Sequence, residues 1–229
     1  PWEWFGIAKA MLETGITPDF IVVDGAEGGT GAAPLEFTDH VGAPLREGLA
    51  LVHNTLVGIG VRERIRLGAS GKIVTAFDIA RTMAIGADWC NSARGFMFAL
   101  GCLQAQTCHT GNCPTGVTTQ DPNRMRALVV DDKAARVFNF HESTLIALQE
   151  LLEAAGLTHP YEFGPEHVIR RVSANEVRSL AALQAWLKPG ELLAGVPHQP
   201  VYEKFWAVAR AGSFAAPEGL ESVHTGKHR

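Results

Sequence analysis

Three thiols in one short segment carry the most specific chemistry of the chain. Cys102, Cys108 and Cys113 fall within twelve residues, with gaps of five and four residues, and Pro114 follows the last. Short closed loops strain a disulfide, so thiols this crowded are poor partners for one another. They suit a soft metal centre, on which several thiolates converge. Structural zinc usually draws four ligands, often as two close pairs. Here no second pair exists, and His109 adjoins Cys108, where neighbouring side chains diverge. An iron–sulfur centre fits better. Cys-Pro ends ferredoxin-type runs, and Gly111 and Asn112 permit a tight turn between Cys108 and Cys113. Three cysteines give one thiolate per iron of a [3Fe-4S] cluster. Cys90, the one remaining cysteine, lies in an apparent strand and reads as packing. The bland alternative is a trio of hydrophobe-like thiols.

The elements that must position this segment alternate through the first hundred residues. Trp2 to Thr14 reads as helix. Phe20-Ile-Val-Val-Asp24 is a β-branched strand that runs into a glycine-rich loop. Pro44 to Ile59 reads as a helix with proline in its first turn. Ile65-Arg66-Leu67 is the core of a second strand, followed by Gly68-Ala-Ser-Gly71-Lys72. Thr75 and Asp78 form a capping-box pair for a helix to Ile85, with Gly86 at its end. Asp88 to Ser92 is a third strand, and Ala93-Arg94-Gly95 opens another apolar helical stretch. Short αβ links imply parallel strands with right-handed crossovers.

After the cysteines the pattern is helical only. Asp121-Pro122 is a cap with a first-turn proline. Val130 to Ala155 carries apolar residues at 137, 138, 145, 148, 151 and 152, and Gly156 ends it. Ser173-Ala-Asn-Glu176 reads as a capping box opening a helix to about Trp186. From Pro189 onward no period is visible. That tail is expected to be irregular, with Phe205 and Trp206 docking on something outside the chain.

Three strands cannot close a barrel, and a (β/α)8 barrel typically needs about 250 residues. The expected fold is α/β: the last three βα units of a TIM barrel over 1–101, an iron–sulfur loop over 102–120, a helical extension over 121–188 and an irregular tail over 189–229. A doubly wound sheet is the alternative. The chain opens on Pro1 inside a helix, and is expected to be a piece of a longer polypeptide that is inactive alone.

In such folds ligands sit at the carboxyl ends of the strands. Gly71 and Lys72, and then Ser92, Ala93 and Arg94, fall where barrels bind phosphate, with glycine amides and helix N-termini toward the anion. Four glycines within 25–31 carry a heavy entropic cost unless the backbone needs positive φ or close ligand approach. This loop matches neither the Walker nor the dinucleotide pattern. Asp24 and Glu27 are candidates to bind a ligand or orient a substrate amine, and equally to cap the turn.

Val-Asp-Gly-Ala-Glu-Gly-Gly-Thr-Gly-Ala-Ala-Pro34, Ala-Ser-Gly-Lys-Ile73, Asn-Ser-Ala-Arg-Gly95 and then Cys102, Cys108 and Cys113 with Cys-Pro-Thr-Gly-Val117 occur in that order. Together they resemble the FMN-binding synthase domain of glutamate synthases over roughly 8–185. The resemblance implies a flavin barrel beside a [3Fe-4S] cluster on Cys102, Cys108 and Cys113. It implies FMN phosphate near Gly71, Lys72, Ser92, Ala93 and Arg94. Gly28 and Gly29 would lie with Asp24 and Glu27 beside the flavin ring and substrate. The implied reaction is reduction of 2-iminoglutarate, formed from 2-oxoglutarate and ammonia, to L-glutamate. A glutaminase domain and an electron donor, an NADPH-linked subunit or ferredoxin, are the implied partners. The chain has no glutaminase cysteine nucleophile and no pyridine-nucleotide domain. Another flavin barrel, such as a dihydroorotate dehydrogenase or an isomerase, and a cluster- or zinc-bearing electron-transfer module are the competing readings.

Composition excludes other classes. The net charge is -4 with no basic run, so nucleic acid is not an expected partner. No apolar stretch approaches about 18 residues, so no membrane span is expected. Four cysteines and no apolar leader fit a reducing, cytoplasmic setting. Arg46, Arg62 and Arg64 are weak candidates for substrate carboxylates, and His53, Asn54 and His141 read as packing or surface.

Overall fold

A computed structural model describes residues 1–27, 34, 36–37 and 40–218. Gly28 and Gly29 lie outside the described residues. The main elements are α1 (Trp2–Thr14), β1 (Phe20–Asp24), α2 (Leu45–Gly58), β2 (Arg66–Ser70), α3 (Ala76–Ile85), β3 (Trp89–Asn91), α4 (Arg94–Ala99), α5 (Pro122–Met125) and α6 (Val130–Ala155). They are followed by β4 (Ile169–Arg171), β5 (Val177–Ser179), α7 (Leu180–Leu183), α8 (Glu191–Ala194) and α9 (Pro200–Phe205). By contacts the chain falls into two compact units, 22–50 with 67–183 and 1–21 with 51–66 and 184–229.

The first of these units is α/β. Its sheet runs in the order β1-β2-β3, with β2 and β3 parallel and Gly68 opposite Trp89. Hydrogen bonds from Arg66 N to Asp19 O and from Gly25 N to Ser70 O show that β1 and β2 also run the same way. The Thr75–Asp78 capping box forms as its spacing requires: Asp78 N donates to Thr75 Oγ1 at 3.1 Å, and Thr75 N donates to Asp78 Oδ2 at 3.0 Å. Gly86 closes α3 at φ 121°, a conformation that side chains other than glycine resist. Ala76, Ala80 and Ala84 are buried on one face of α3, where small residues allow close packing. On α6, Phe140 packs edge-on against Phe96 of α4 at 5.3 Å. Only Leu148 and Leu152 of α6 are buried, while Phe138 and Leu145 of its expected apolar face are exposed.

The helix expected from Ser173 does not form. Ser173 to Glu176 instead turns an antiparallel hairpin, with Ile169 opposite Ser179 and Arg171 opposite Val177. Val172 N and Ser173 N both donate to the Glu176 carbonyl, closing the turn. The Glu176 carboxylate accepts from Arg178 rather than reaching back to the Ser173 amide, so the capping box is never completed. The expected helices over 122–155 form, and strand pairing at 169–179 interrupts the otherwise helical run.

The other unit gathers α1, the end of α2 and the C-terminal segment. The tail is not irregular throughout, and Phe205 and Trp206 dock within the chain. Phe5 is fully buried, stacked on Tyr202 at 5.2 Å and edge-on to Trp206 at 5.3 Å. Trp2 faces Phe205 at 6.0 Å, and Lys9 Nζ donates to the Ala209 carbonyl at 2.8 Å. Asn54 holds the incoming segment from both sides: its Nδ2 donates to Ala185 O, and its Oδ1 accepts from Leu187 N. His53 accepts from Arg62 Nε and meets Trp186 edge-on. Both polar residues are structural, as their helical context suggested.

A tight contact sets the sheet spacing. A Cβ built on Gly68 would stand 2.4 Å from the Trp89 ring. Gly68→Ala should therefore cost about 1–3 kcal/mol of stability, the usual penalty for overpacking. Urea unfolding measures it, and an unchanged midpoint would show that the Trp89 ring yields freely.

Candidate functional site

The three strand-end loops of the α/β unit are tied side by side. Gly25 N donates to Ser70 O at 2.8 Å, joining the loop after β1 to the end of β2. Ser92 Oγ donates to Ile73 O at 2.7 Å, joining the loop after β3 to the loop after β2. Between these ties the backbone is unusual. Gly71 has φ 144°, and Lys72, a residue with a full side chain, sits at φ 48°. Such conformations cost roughly 1–3 kcal/mol for a non-glycine residue and concentrate where a ligand is bound. Gly71 faces Gly25, whose Cα lies 3.5 Å from a Cβ built on Gly71. Ala93 begins α4 with no side-chain cap, and Arg94 is half-buried in its first turn. Successive amides, a helix start and the cations Lys72 and Arg94 make a donor set suited to a phosphate group.

The two carboxylates differ in their placement. Glu27 accepts from the Leu45 amide at 3.1 Å and so caps the start of α2. Asp24 ends β1 with an exposed side chain. Arg62 is engaged with His53 and the Ile65 carbonyl, and Arg64 reaches Thr17. Arg46 is exposed at the start of α2.

The cysteine segment follows α4 directly, with Cys102 N donating to Met97 O. Cys102, Cys108 and Cys113 line one small cavity, together with Met97, Leu103 and Thr118. Gln104, at φ 55°, turns its amide toward Cys102 Sγ at 3.5 Å. Cys113 Sγ lies 3.5 Å from Thr115 Oγ1. Burial works to raise the Cys113 thiol, but the donors on Thr115 and Thr118 outweigh it and hold it at about 6. Cys90 is the opposite case: burial without donors pushes it up to about 12.

The loop has a brace that the cysteine spacing did not reveal. Arg124 Nη1 donates to the carbonyls of Asn112 and Cys113 at 3.4 and 3.5 Å. The Arg124 carbonyl in turn abuts Gly116, where a Cβ would come within 2.4 Å. Gly116 has φ 80°, which folds the chain back so that Thr115 and Thr118 face the cavity. The signal available in the sequence was Thr-Gly-Val-Thr directly after Cys-Pro.

The donor chemistry of this cavity suits a thiolate-bound metal group: three thiols, amide and hydroxyl donors toward sulfur, and an otherwise apolar wall. Among the described residues, no three His, Cys, Asp or Glu side chains stand close enough to grip one metal ion.

In the metal-free chain, iodoacetamide labelling of Cys113, slowed by burial of the side chain, should climb through about pH 6 and then level, because the thiolate is the nucleophile. Cys90 should stay unlabelled up to pH 9 while the chain is folded. Peptide mass spectrometry reads both sites, and a Cys113 midpoint near pH 8.5 would contradict the assigned donors.

With this geometry, the comparisons are specific. The family model described as "Conserved region in glutamate synthase" matches residues 6–158. The glutamate synthase large subunit-like protein YerD of Bacillus subtilis is 44% identical over 171 residues, 75% of this chain and 33% of that protein. The archaeal glutamate synthase [NADPH] of Methanocaldococcus jannaschii is 38% identical over 159 residues, 69% of this chain and 31% of its own length. Ferredoxin-dependent glutamate synthase 2 of Arabidopsis thaliana is 40% identical over 115 residues, 50% of this chain and 7% of that protein. The chain thus spans about a third of the first two relatives. It belongs to the glutamate synthase family.

Proposed function

We propose that this chain forms the flavin- and iron–sulfur-bearing part of an oxidoreductase that converts 2-oxoglutarate, through 2-iminoglutarate, to L-glutamate. One observation carries the reading: the loops of all three parallel strands adjoin, and the three-thiol cavity follows the last of them after a single six-residue helix. Family membership supports the reaction class. The sheet supports a larger fold. Its outer strands β1 and β3 each pair on one side only among the described residues, as they would in the last three units of a (β/α)8 barrel. Relatives about three times the matched length leave room for the other strands.

In this reading Gly71, Lys72, Ser92, Ala93 and Arg94 hold the phosphate of FMN, with Gly28 and Gly29 beside its ring. FMN supplies hydride transfer and takes up electrons singly. Cys102, Cys108 and Cys113 hold a [3Fe-4S] cluster, which supplies single-electron transfer. Lys72 and Arg94 neutralise the phosphate, and the strained Gly71–Lys72 backbone fixes where it sits. Ser92 braces that loop through Ile73. Glu27, by holding the Leu45 amide, fixes the start of the glycine loop, while Asp24 is free to orient the substrate nitrogen. Ammonia from a glutaminase domain and electrons from an NADPH-linked subunit or ferredoxin complete the reaction. The relatives' names carry both kinds of donor.

One second reading is a flavin enzyme of this family without the cluster, because no three described His, Cys, Asp or Glu side chains form a single-ion site. The full-length protein separates the two. Chemically reduced anaerobically and mixed with 2-oxoglutarate and ammonium, it should form L-glutamate. Lys72→Gln and Arg94→Gln should each weaken FMN retention about tenfold, the loss of one charged hydrogen bond. Unchanged FMN affinity in both variants would overturn the phosphate assignment. Glutamate formation that survives Cys108→Ser with electrons from a one-electron donor would favour the flavin-only enzyme.

A further inference from the structure

We infer that the Thr118 hydroxyl is a hydrogen-bond donor reserved for a sulfur of the metal group held by Cys102, Cys108 and Cys113, and that it tunes that group's reduction potential. The inference rests on the cluster reading above. Thr118 Oγ1 is buried and bonds no oxygen or nitrogen among the described residues; the group it faces is the Cys113 sulfur. It lies in the wall of the cavity that all three cysteines share. A buried hydroxyl without an acceptor is costly, and native interiors seldom keep one without cause.

Its neighbours make the position specific. Three other hydroxyls of the loop have local partners: Thr110 Oγ1 donates to Thr107 O, Thr119 Oγ1 accepts from Asp121 N, and Thr115 Oγ1 lies against Cys113 Sγ. Thr118 has no oxygen or nitrogen partner and is left with sulfur alone. The Met97, Leu103, Pro114 and Val117 side chains of the wall are apolar. Valine has nearly the same shape and would fill this place without leaving a donor buried. The backbone leading to Thr118 is held, because Gly116 abuts the Arg124 carbonyl and Arg124 grips the Cys113 carbonyl. Sulfur carrying negative charge is the acceptor that the cavity would present. Hydrogen bonds to cluster sulfurs raise the reduction potential by stabilising the more negative state.

The test is the full-length protein with Thr118→Val and Thr118→Ser, purified anaerobically. Iron per chain and the midpoint potential from a dye-mediated titration are the readouts. Thr118→Val should keep its iron and fall in potential by about 59 mV, a tenfold change for one electron. Thr118→Ser should restore most of that shift. Loss of iron from the valine variant alone, with the serine variant loaded, would also support the donor. Equal potentials in wild type and Thr118→Val, or iron loss in both variants, would overturn it, the latter by revealing a packing role. Iron absent from the wild type would overturn the cluster reading itself, and this inference with it.

Discussion

The chemistry of this chain rests on two hydrogen bonds that hold the ends of three parallel strands in a row. Gly25 N to Ser70 O and Ser92 Oγ to Ile73 O fix loops that are otherwise rich in glycine and small residues. Such loops have many conformations to lose, and ordering one residue costs about 1–2 kcal/mol. The ties help to hold the Gly71 and Lys72 conformations in place. The sheet beneath supplies the spacing, with the Trp89 ring lying directly over Gly68. From that rim, α4 leads straight into the cysteines, so the phosphate-suited loops and the three-thiol cavity are neighbours by chain order alone.

The cysteine segment shows how surroundings decide what a thiol is for. Cys90 and Cys113 are chemically the same group. Cys90 sits in β3 where burial dominates, and its thiol is pushed up. Cys113 is also covered, but donors on Thr115 and Thr118 reverse the effect. The αL glycines at 111 and 116 make this possible by folding the loop sharply on either side of Cys113. Arg124 then locks the fold from outside through the Asn112 and Cys113 carbonyls. A thiolate is thus favoured at the one position of the three where the side chain is almost wholly buried.

Features set by near neighbours were legible in the sequence. The Thr75–Asp78 box, the Asp121 cap and the Gly156 stop all involve residues within a few positions of each other, and each formed where expected. Ser173–Glu176 carries the same local pattern with a different outcome, because strand pairing and Arg178 claimed its atoms. The tail was misread for a similar reason. What orders Tyr202 and Trp206 is Phe5, some 200 residues earlier, and no local period records that contact. At the candidate site, the cysteines and glycine loops stood out by residue type. For Glu27, capping was one of two open readings, but the partner it caps, Leu45, lies eighteen residues away and left no local sign. Thr118 and Arg124 were hidden because their significance comes from where Gly116 turns the chain.

The central claim is that three thiols hold iron beside a flavin site. Metal, sulfide and flavin analysis of the anaerobically purified full-length protein tests it most directly. The account predicts about three irons and one FMN per chain, with iron lost and FMN retained when Cys113 is replaced by serine. FMN without iron, or zinc in place of iron, would contradict it.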